Sequence, residues 1–220
     1  LEKKNRLITP EEKKIVAYHE LGHAITAMAL DGTDPVNKIS IIPRGIAALG
    51  YTLQPPTEER FLMRRTELLN RITTLLGGRA AEEIIFDDIS TGAQNDLMRA
   101  TEIARSMVEA YGMSEAIGQV YLAPKHQGHF LGGMMGGEKN HGHRTAERID
   151  EEIRQIIETQ YDQAIAILEQ NRSLLNRYAE ELLKREIIEG ELIEALENEV
   201  QSPLPAETDA ENPGIRRRVA

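Results

Sequence analysis

The sequence predicts a mainly helical domain with one small β-sheet. Most of the chain spaces its apolar residues at i, i+3 and i+4, as amphipathic helices do, whereas only two short runs have the character of strands. At 220 residues the chain is long enough to bury one good-sized core, or two small ones. It contains no cysteine, so disulfides cannot help to hold that core together.

The first predicted helix covers about 10–30. Thr9 is suited to cap its free amides, Pro10 fits the first turn, and Glu12 completes a capping box. An Asp-Gly pair at 31–32 ends the helix. Its apolar residues cover more than one face, which predicts a helix that is buried on several sides.

Two short runs, 36–42 and 49–53, are predicted to be strands joined by a Pro-Arg-Gly turn. Helical spacing then returns and continues to Phe86. Within this segment Gly77 and Gly78 are expected to interrupt the helix.

Further helices are predicted over about 93–111, from Thr145 onward, and around 174–183 and 191–200. Near the end of this region an apolar stripe is expected to be incompletely buried, so that it serves a contact between subunits. The stripe consists of Ile187, Ile188, Leu192, Ile193 and Leu196.

The chain is predicted to form one domain over 10–200. Six glycines between Gly128 and Gly142 indicate a mobile surface loop, and a tail with prolines and few apolar residues is expected to be disordered. The expected parts are a linker from an upstream module at 1–9, a core at about 10–123, the glycine-rich loop at about 124–144, C-terminal helices at about 145–200 and the tail at 201–220.

The composition of the chain argues against nucleic-acid binding, membrane spanning and thiolate metal sites. With 36 acidic and 26 basic residues the formal net charge is -10, which repels phosphate backbones, so no nucleic-acid partner is expected. No stretch of the sequence approaches the roughly 20 apolar residues that span a bilayer. Because cysteine is absent, any metal must be bound by histidine, aspartate or glutamate.

The segment YHELGHA in the first predicted helix carries the pattern H-E-x-x-H. Four residues are slightly more than one helical turn, so His19 and His23 project from the same face and can reach one ion. Glu20 is rotated by roughly 100° from His19, which places its carboxylate beside the metal without making it a ligand. The pattern therefore predicts a metal site with a catalytic glutamate.

A zinc ion on two histidines needs a third protein ligand and an open position for water. Glu82 and Glu83 follow the motif by about 60 residues, and Asp96 lies on a helix face that is otherwise apolar. A carboxylate that caps its own helix would explain Asp96 as well, so the spacing alone leaves the third ligand open. The remaining histidines are weaker candidates because they lie in or next to the glycine-rich loop. They are His126, His129, His141 and His143.

The segments HELGHA, KISIIPRG, ALGYTLQ, LLGGRAAEEIIF, DISTGAQNDLMRATEIARSMV and YGMSE occur in this order within about 9–114. Together they resemble the peptidase domain of the FtsH family of membrane-anchored AAA+ zinc proteases. The resemblance implies one Zn²⁺ per subunit on the two motif histidines, and it selects Asp96 within TGAQND as the third ligand. Glu82 and Glu83 then become candidates to orient an imidazole.

The same resemblance implies a processive, ATP-driven protease whose subunits form a homohexamer. Membrane-spanning segments and an ATPase module would precede this domain, so ATP would bind only to that module, and the sequence indeed contains no GxxxxGK[ST] motif. The full-length protein is then expected in the cell membrane, with this domain soluble on the cytoplasmic side. Its contact with the membrane would come only through the missing N-terminal segments.

The residues and the resemblance together predict a zinc-dependent endopeptidase domain, with Glu20 as general base. Its expected substrates are unfolded or membrane-protein polypeptides delivered by the ATPase module. If the second strand is a sheet edge, Leu49, Gly50, Tyr51 and Thr52 could pair with an extended substrate, and otherwise the strand simply closes the sheet. Two alternatives are a helical assembly module with a structural zinc site and a zinc hydrolase for small substrates.

Overall fold

A computed structural model describes residues 9–43, 50–54, 62–123 and 142–203. Most of the expected N-terminal linker, the strand residue Leu49, most of the glycine-rich loop and most of the tail lie outside these ranges. Within them the chain is mainly helical with one small sheet, which confirms the predicted fold class. The boundaries assigned to linker, core, loop and tail stay predictions.

The first helix, α1 (Pro10–Ala29), begins with the predicted capping box. The Thr9 hydroxyl accepts from the Glu12 amide at 3.1 Å, and the Glu12 carboxylate accepts from the Thr9 amide at 2.8 Å. The second half of α1 is almost entirely buried, and so are the polar side chains of His19 and Glu20. The helix therefore runs through the interior, as its apolar residues on several faces predict.

The sheet contains β1 (Lys38–Ser40), β2 (Tyr51–Leu53) and β3 (Ile187–Glu189), in the order β2-β1-β3 with both pairings antiparallel. The two predicted strands are confirmed, although each is shorter than predicted. The third strand was not predicted. Among the described residues β2 has a neighbour on one side only, so it is an edge strand.

The apolar stripe expected at a subunit contact belongs to β3 and to α6 (Glu191–Glu199). Ile188, Ile193 and Leu196 are buried within the chain itself. The other two, Ile187 and Leu192, are only partly buried, although β3 pairs with β1 and α6 packs against β3 and the helix before it. The stripe is thus incompletely buried, as predicted, and its subunit contact stays a prediction.

The helix α2 (Arg65–Phe86) is continuous through Gly77 and Gly78, so the predicted interruption is wrong. A Cβ atom at Gly77 would lie 2.6 Å from the carbonyl oxygen of Gly22 in α1, so the two helix backbones touch at this point. Glycine costs about 1 kcal/mol relative to alanine inside a helix. Here that local cost is offset by the close packing of α1 on α2.

A 3-10 turn (Thr91–Ala93) leads directly into α3 (Gln94–Glu109). Two further helices follow, α4 (His143–Gln170) and α5 (Arg172–Arg185), close to the predicted positions. The helix α4 packs on α2 and α3, and α5 packs on α1, so the core lies around the two glycine-paired helices. No helix of the described ranges has the length and apolar character needed to cross a bilayer.

Candidate metal centre

Three side chains from two helices converge on one point. They are His19 and His23 of α1 and Asp96 in the first turn of α3. Among the described residues this is the one group of three or more histidine, aspartate or glutamate side chains close enough together to hold a metal ion. The two Nε2 atoms are 3.1 Å apart, and Asp96 Oδ2 is 3.4 Å from each of them. A tetrahedral zinc ion with bonds of about 2.0–2.1 Å separates its ligand atoms by roughly 3.3 Å. The three atoms therefore have the spacing of three corners of such a tetrahedron.

Glu82 of α2 fixes the orientation of the His19 ring. Its Oε1 lies 2.7 Å from His19 Nδ1, and its Oε2 accepts from the Ser90 amide at 2.7 Å. The Glu82 side chain is buried, so both carboxylate oxygens are held in place. A carboxylate on Nδ1 keeps the ring proton on that atom and leaves the Nε2 lone pair for an ion.

His23 is oriented in the same way by a main-chain atom. Its Nδ1 lies 2.8 Å from the carbonyl oxygen of Thr74, and because a carbonyl only accepts, Nδ1 carries the proton. The lone pairs of both Nε2 atoms then face each other and the Asp96 carboxylate, which is repulsive unless a cation lies between them. Two neutral imidazoles and one carboxylate form a donor set that suits zinc.

In the metal-free centre, the pKa values of His19 and Asp96 are also shifted in the directions that favour a positive charge between the side chains. Burial lowers the pKa of His19, but the bonds to Asp96 and Glu82 outweigh it and raise this pKa to about 9. Burial also works against ionised Asp96, yet His19 and His23 hold the pKa of this carboxyl well below its usual range. The carboxylates therefore attract a proton when no metal is bound, and a divalent ion would compete with that proton for the same atoms.

Glu20 lies beside the candidate ligands and is itself 8% exposed. The Thr52 hydroxyl of β2 is 2.9 Å from Glu20 Oε2 and 3.0 Å from the Glu20 carbonyl oxygen. Burial raises the pKa of Glu20, although the nearby His23 and His19 lower it. A carboxylate with a raised pKa is well suited to accept a proton near neutral pH.

Two glycines leave space next to these side chains. A Cβ atom at Gly78 of α2 would lie 2.6 Å from His19 Nε2 and 2.7 Å from His23 Nε2. A Cβ atom at Gly50 would lie 2.8 Å from Glu20 Oε1. Both positions therefore admit no larger residue without displacing the two imidazoles or Glu20.

A cleft of about 670 Å³ opens above the centre, within the size range of ligand-binding sites. The cleft is bounded by α1, by β2, by α2 and by the segment 90–99. Three of the four predicted strand residues, Gly50, Tyr51 and Thr52, line it. The edge strand and the candidate metal ligands therefore share one cavity.

Other residues proposed from the sequence lie away from the centre. Glu83 is exposed and accepts a hydrogen bond from the Tyr161 hydroxyl, so the geometry favours Glu82 as the residue that orients an imidazole. The His143 side chain is 95% exposed at the start of α4. The other three histidines considered, His126, His129 and His141, lie outside the described residues.

Sequence reasoning missed Thr74, Ser90 and Gly78. Thr74 and Ser90 act through a carbonyl and an amide, which every residue type possesses, so no sequence signal could have indicated them. Gly78 did leave a signal, the glycine pair inside a helical pattern. A glycine that does not end a helix often marks a close approach by another group, and here that group is the pair of histidines.

Comparison with protein families gives a match to peptidase family M41 over residues 6–196. The chain is 53% identical over 204 residues to "ATP-dependent zinc metalloprotease FtsH 4" of Synechocystis sp., an alignment that covers 92% of this chain and 32% of the relative. It is 55% identical over 203 residues to "ATP-dependent zinc metalloprotease FtsH" of Syntrophobacter fumaroxidans, covering 92% and 31%. The chain spans about a third of the length of these relatives.

A protein of the same name from Burkholderia pseudomallei is 46% identical over 225 residues, an alignment that covers 99% of this chain. These identities confirm the resemblance found in the separated sequence segments. The family match includes α1 to α5, and with them every residue of the candidate metal centre. The chain therefore belongs to peptidase family M41, as a peptidase domain.

Proposed function

We propose that this chain is a zinc-dependent endopeptidase domain, with His19, His23 and Asp96 as metal ligands and Glu20 as general base. One observation carries the proposal: three ligand atoms have tetrahedral spacing beside a buried glutamate, at the floor of an open cleft. Zinc bound to these ligands would supply Lewis-acid activation of water and stabilisation of the developing oxyanion.

The chain's own residues orient the imidazoles and transfer the proton. Glu82 and the Thr74 carbonyl keep both imidazoles in the tautomer that binds metal. Glu20 takes a proton from the attacking water and returns it to the nitrogen of the leaving amine. Its burial favours the neutral form, which helps it to hold the proton between these two transfers.

Gly50, Tyr51 and Thr52 are proposed to bind the substrate. They line the cleft, and β2 lies at one edge of the described sheet, a position at which proteins often bind an extended peptide through main-chain hydrogen bonds. Such pairing depends little on side-chain identity. This supports unfolded polypeptide as the substrate class, including segments of membrane proteins, and it argues against a hydrolase for small molecules.

The wider assembly is proposed from the relatives. They are named ATP-dependent, and this chain spans about a third of their length, so an ATPase module outside this sequence is proposed to deliver the substrate. We place the domain in a homohexamer whose full-length subunits are anchored in the cell membrane, with this domain on the cytoplasmic side.

A structural zinc site is the main competing function. Structural zinc is almost always held by four protein ligands. The described residues supply three ligand atoms, and the cleft opens next to them. This arrangement favours a catalytic site with one position left for water.

Casein turnover tests the proposal. The 220-residue chain with one equivalent of zinc is expected to cleave casein slowly, to stop after chelation and to recover when zinc is restored. Absence of zinc binding would favour an assembly module. Zinc binding without casein cleavage would favour a structural site or a small-molecule hydrolase.

A second experiment tests whether this chain by itself uses ATP to unfold its substrates. Because the sequence has no GxxxxGK[ST] motif, added ATP is expected to leave casein turnover unchanged and a tightly folded fluorescent protein intact. Fluorescence loss that depends on ATP would contradict the assignment of the motor to a separate module.

A further inference from the structure

The Thr52 hydroxyl has contacts that strand pairing does not require. Thr52 lies in the middle of β2, opposite Ile39 of β1. Its side chain nevertheless reaches α1, where two oxygens of Glu20 are within hydrogen-bond distance. The residue also lines the cleft. It therefore connects the proposed substrate strand with the proposed base.

The position of the hydroxyl proton can be assigned by comparing the two acceptors. A hydroxyl has one proton and donates to one oxygen at a time. The Glu20 carbonyl lies inside α1, where the next helical turn already donates to it. Glu20 Oε2 has no other donor among the residues described, and a bond to an ionised oxygen is roughly twice as strong as a neutral one. The Thr52 hydroxyl therefore donates its hydrogen bond to Oε2.

This bond makes the two oxygens of the Glu20 carboxylate unequal. Oε2 is held by Thr52, whereas Oε1 lies beside Gly50, which has no side chain to cover it. Among the described residues no donor bonds to Oε1, so Oε1 is the oxygen left to exchange a proton.

We propose that Thr52 is a positioning residue, which holds Glu20 Oε2 so that Oε1 performs the proton transfers. The inference rests on the proposed function of Glu20. In the reaction a water oxygen bonds to the scissile carbonyl carbon, one water proton passes to Oε1, and the C–N bond breaks as that proton moves to the amine nitrogen. One short strand then positions both the substrate and the base.

Thr52→Val tests this because valine keeps the shape and strand propensity of threonine and removes the hydroxyl. For an unfolded peptide substrate, kcat is expected to fall roughly 10- to 100-fold, the loss expected for a hydrogen bond to a charged group. KM and zinc content are expected to stay unchanged, whereas the thermal unfolding midpoint is expected to fall slightly, because a buried carboxylate oxygen loses its hydrogen bond. Thr52→Ser keeps the hydroxyl and is expected to recover most of kcat.

Three results would overturn the inference. The first is a valine variant with normal kcat, the second is a serine variant as slow as valine, and the third is a valine variant whose defect lies in KM or zinc content. The last pattern would assign Thr52 to anchoring β2. If the valine variant does not fold, Thr52→Ala compared with Thr52→Ser provides the same test.

A double variant separates this inference from the proposed function. In a Glu20→Gln background, Thr52→Val is expected to cause no further loss, since the residue it positions is already disabled. Full activity of Glu20→Gln alone would overturn both ideas. An inactive Glu20→Gln together with a fully active Thr52→Val would overturn only the role of Thr52.

Discussion

Two carboxylates contact His19, and the ring atom that each one faces determines its role. Asp96 faces Nε2, the atom shared with His23, whereas Glu82 faces Nδ1 on the opposite side of the ring. The neighbouring Glu83 turns about 100° further around α2 and meets Tyr161 instead. The sequence could not choose between Glu82 and Glu83, because that choice depends on how α2 rotates against α1.

Replacing Glu20 by glutamine tests its proposed role as general base. The amide keeps the size of the side chain but cannot accept a proton from water, so casein cleavage is expected to fall by about 10²- to 10⁴-fold. Zinc content is expected to stay at one ion per chain. Glu11→Gln changes the same charge on an exposed part of the same helix and serves as the control. Activity of Glu20→Gln near that of the control would exclude Glu20 as the base.

Replacing the three acids in turn distinguishes ligand from support. Asp96→Asn removes a charge and a bond from the ion and is expected to weaken zinc binding the most. Glu82→Gln is expected to weaken it about 10- to 100-fold through the orientation of His19. Glu83→Gln is expected to have little effect. A zinc titration gives the order, and a larger loss for Glu83 than for Asp96 would reverse the assignment.

At the scale of the elements, local sequence signals predicted the features that depend on neighbouring residues. They failed for features that depend on packing between distant elements. The capping box placed the start of α1 correctly, because Thr9 and Glu12 satisfy the helix end by themselves. The strand β3 was missed because three residues inside an apolar stripe carry too little alternation. The glycines of α2 were misinterpreted because their role depends on α1, which no local pattern includes.

The two glycines of α2 are expected to respond differently to alanine. At Gly77 the new methyl group meets the α1 backbone, so the free energy of unfolding is expected to fall by about 1–3 kcal/mol. At Gly78 it meets the two Nε2 atoms, so zinc binding is expected to be lost while the helix is retained. Gly142→Ala, where no atom of the described residues lies within 4 Å, is the control. Normal zinc affinity in Gly78→Ala, measured by titration, would contradict this account.

At the scale of the whole molecule, the centre draws on four elements that are distant in sequence. The proposed ligands come from α1 and α3, the groups that contact their rings come largely from α2, and Thr52 of β2 contacts Glu20. A metal ion would therefore cross-link α1 to α3 in the folded chain. The unfolded chain has no preformed site, so binding energy would contribute to folding.

Zinc is accordingly expected to raise the thermal unfolding midpoint. At a free concentration 100 times Kd, binding to the native state alone adds about 2.7 kcal/mol to the free energy of unfolding. Asp96→Asn is expected to show a much smaller shift at the same zinc concentration, and Glu83→Gln a normal one. Calorimetry with and without zinc measures the difference, and an equal shift in wild type and Asp96→Asn would argue against Asp96 as a ligand.

The order of strands in the sheet also determines when the sheet can form during synthesis of the chain. β1 pairs with β3, and the paired residues Lys38 and Glu189 are about 150 positions apart in the chain. A ribosome releases β1 and β2 early but β3 only after nearly the whole domain has been made, and such distant pairings form slowly because a long loop must close first. The strand that carries Thr52 is thus attached to a sheet whose far side is completed last, so a nascent chain has both histidines long before it has a finished sheet.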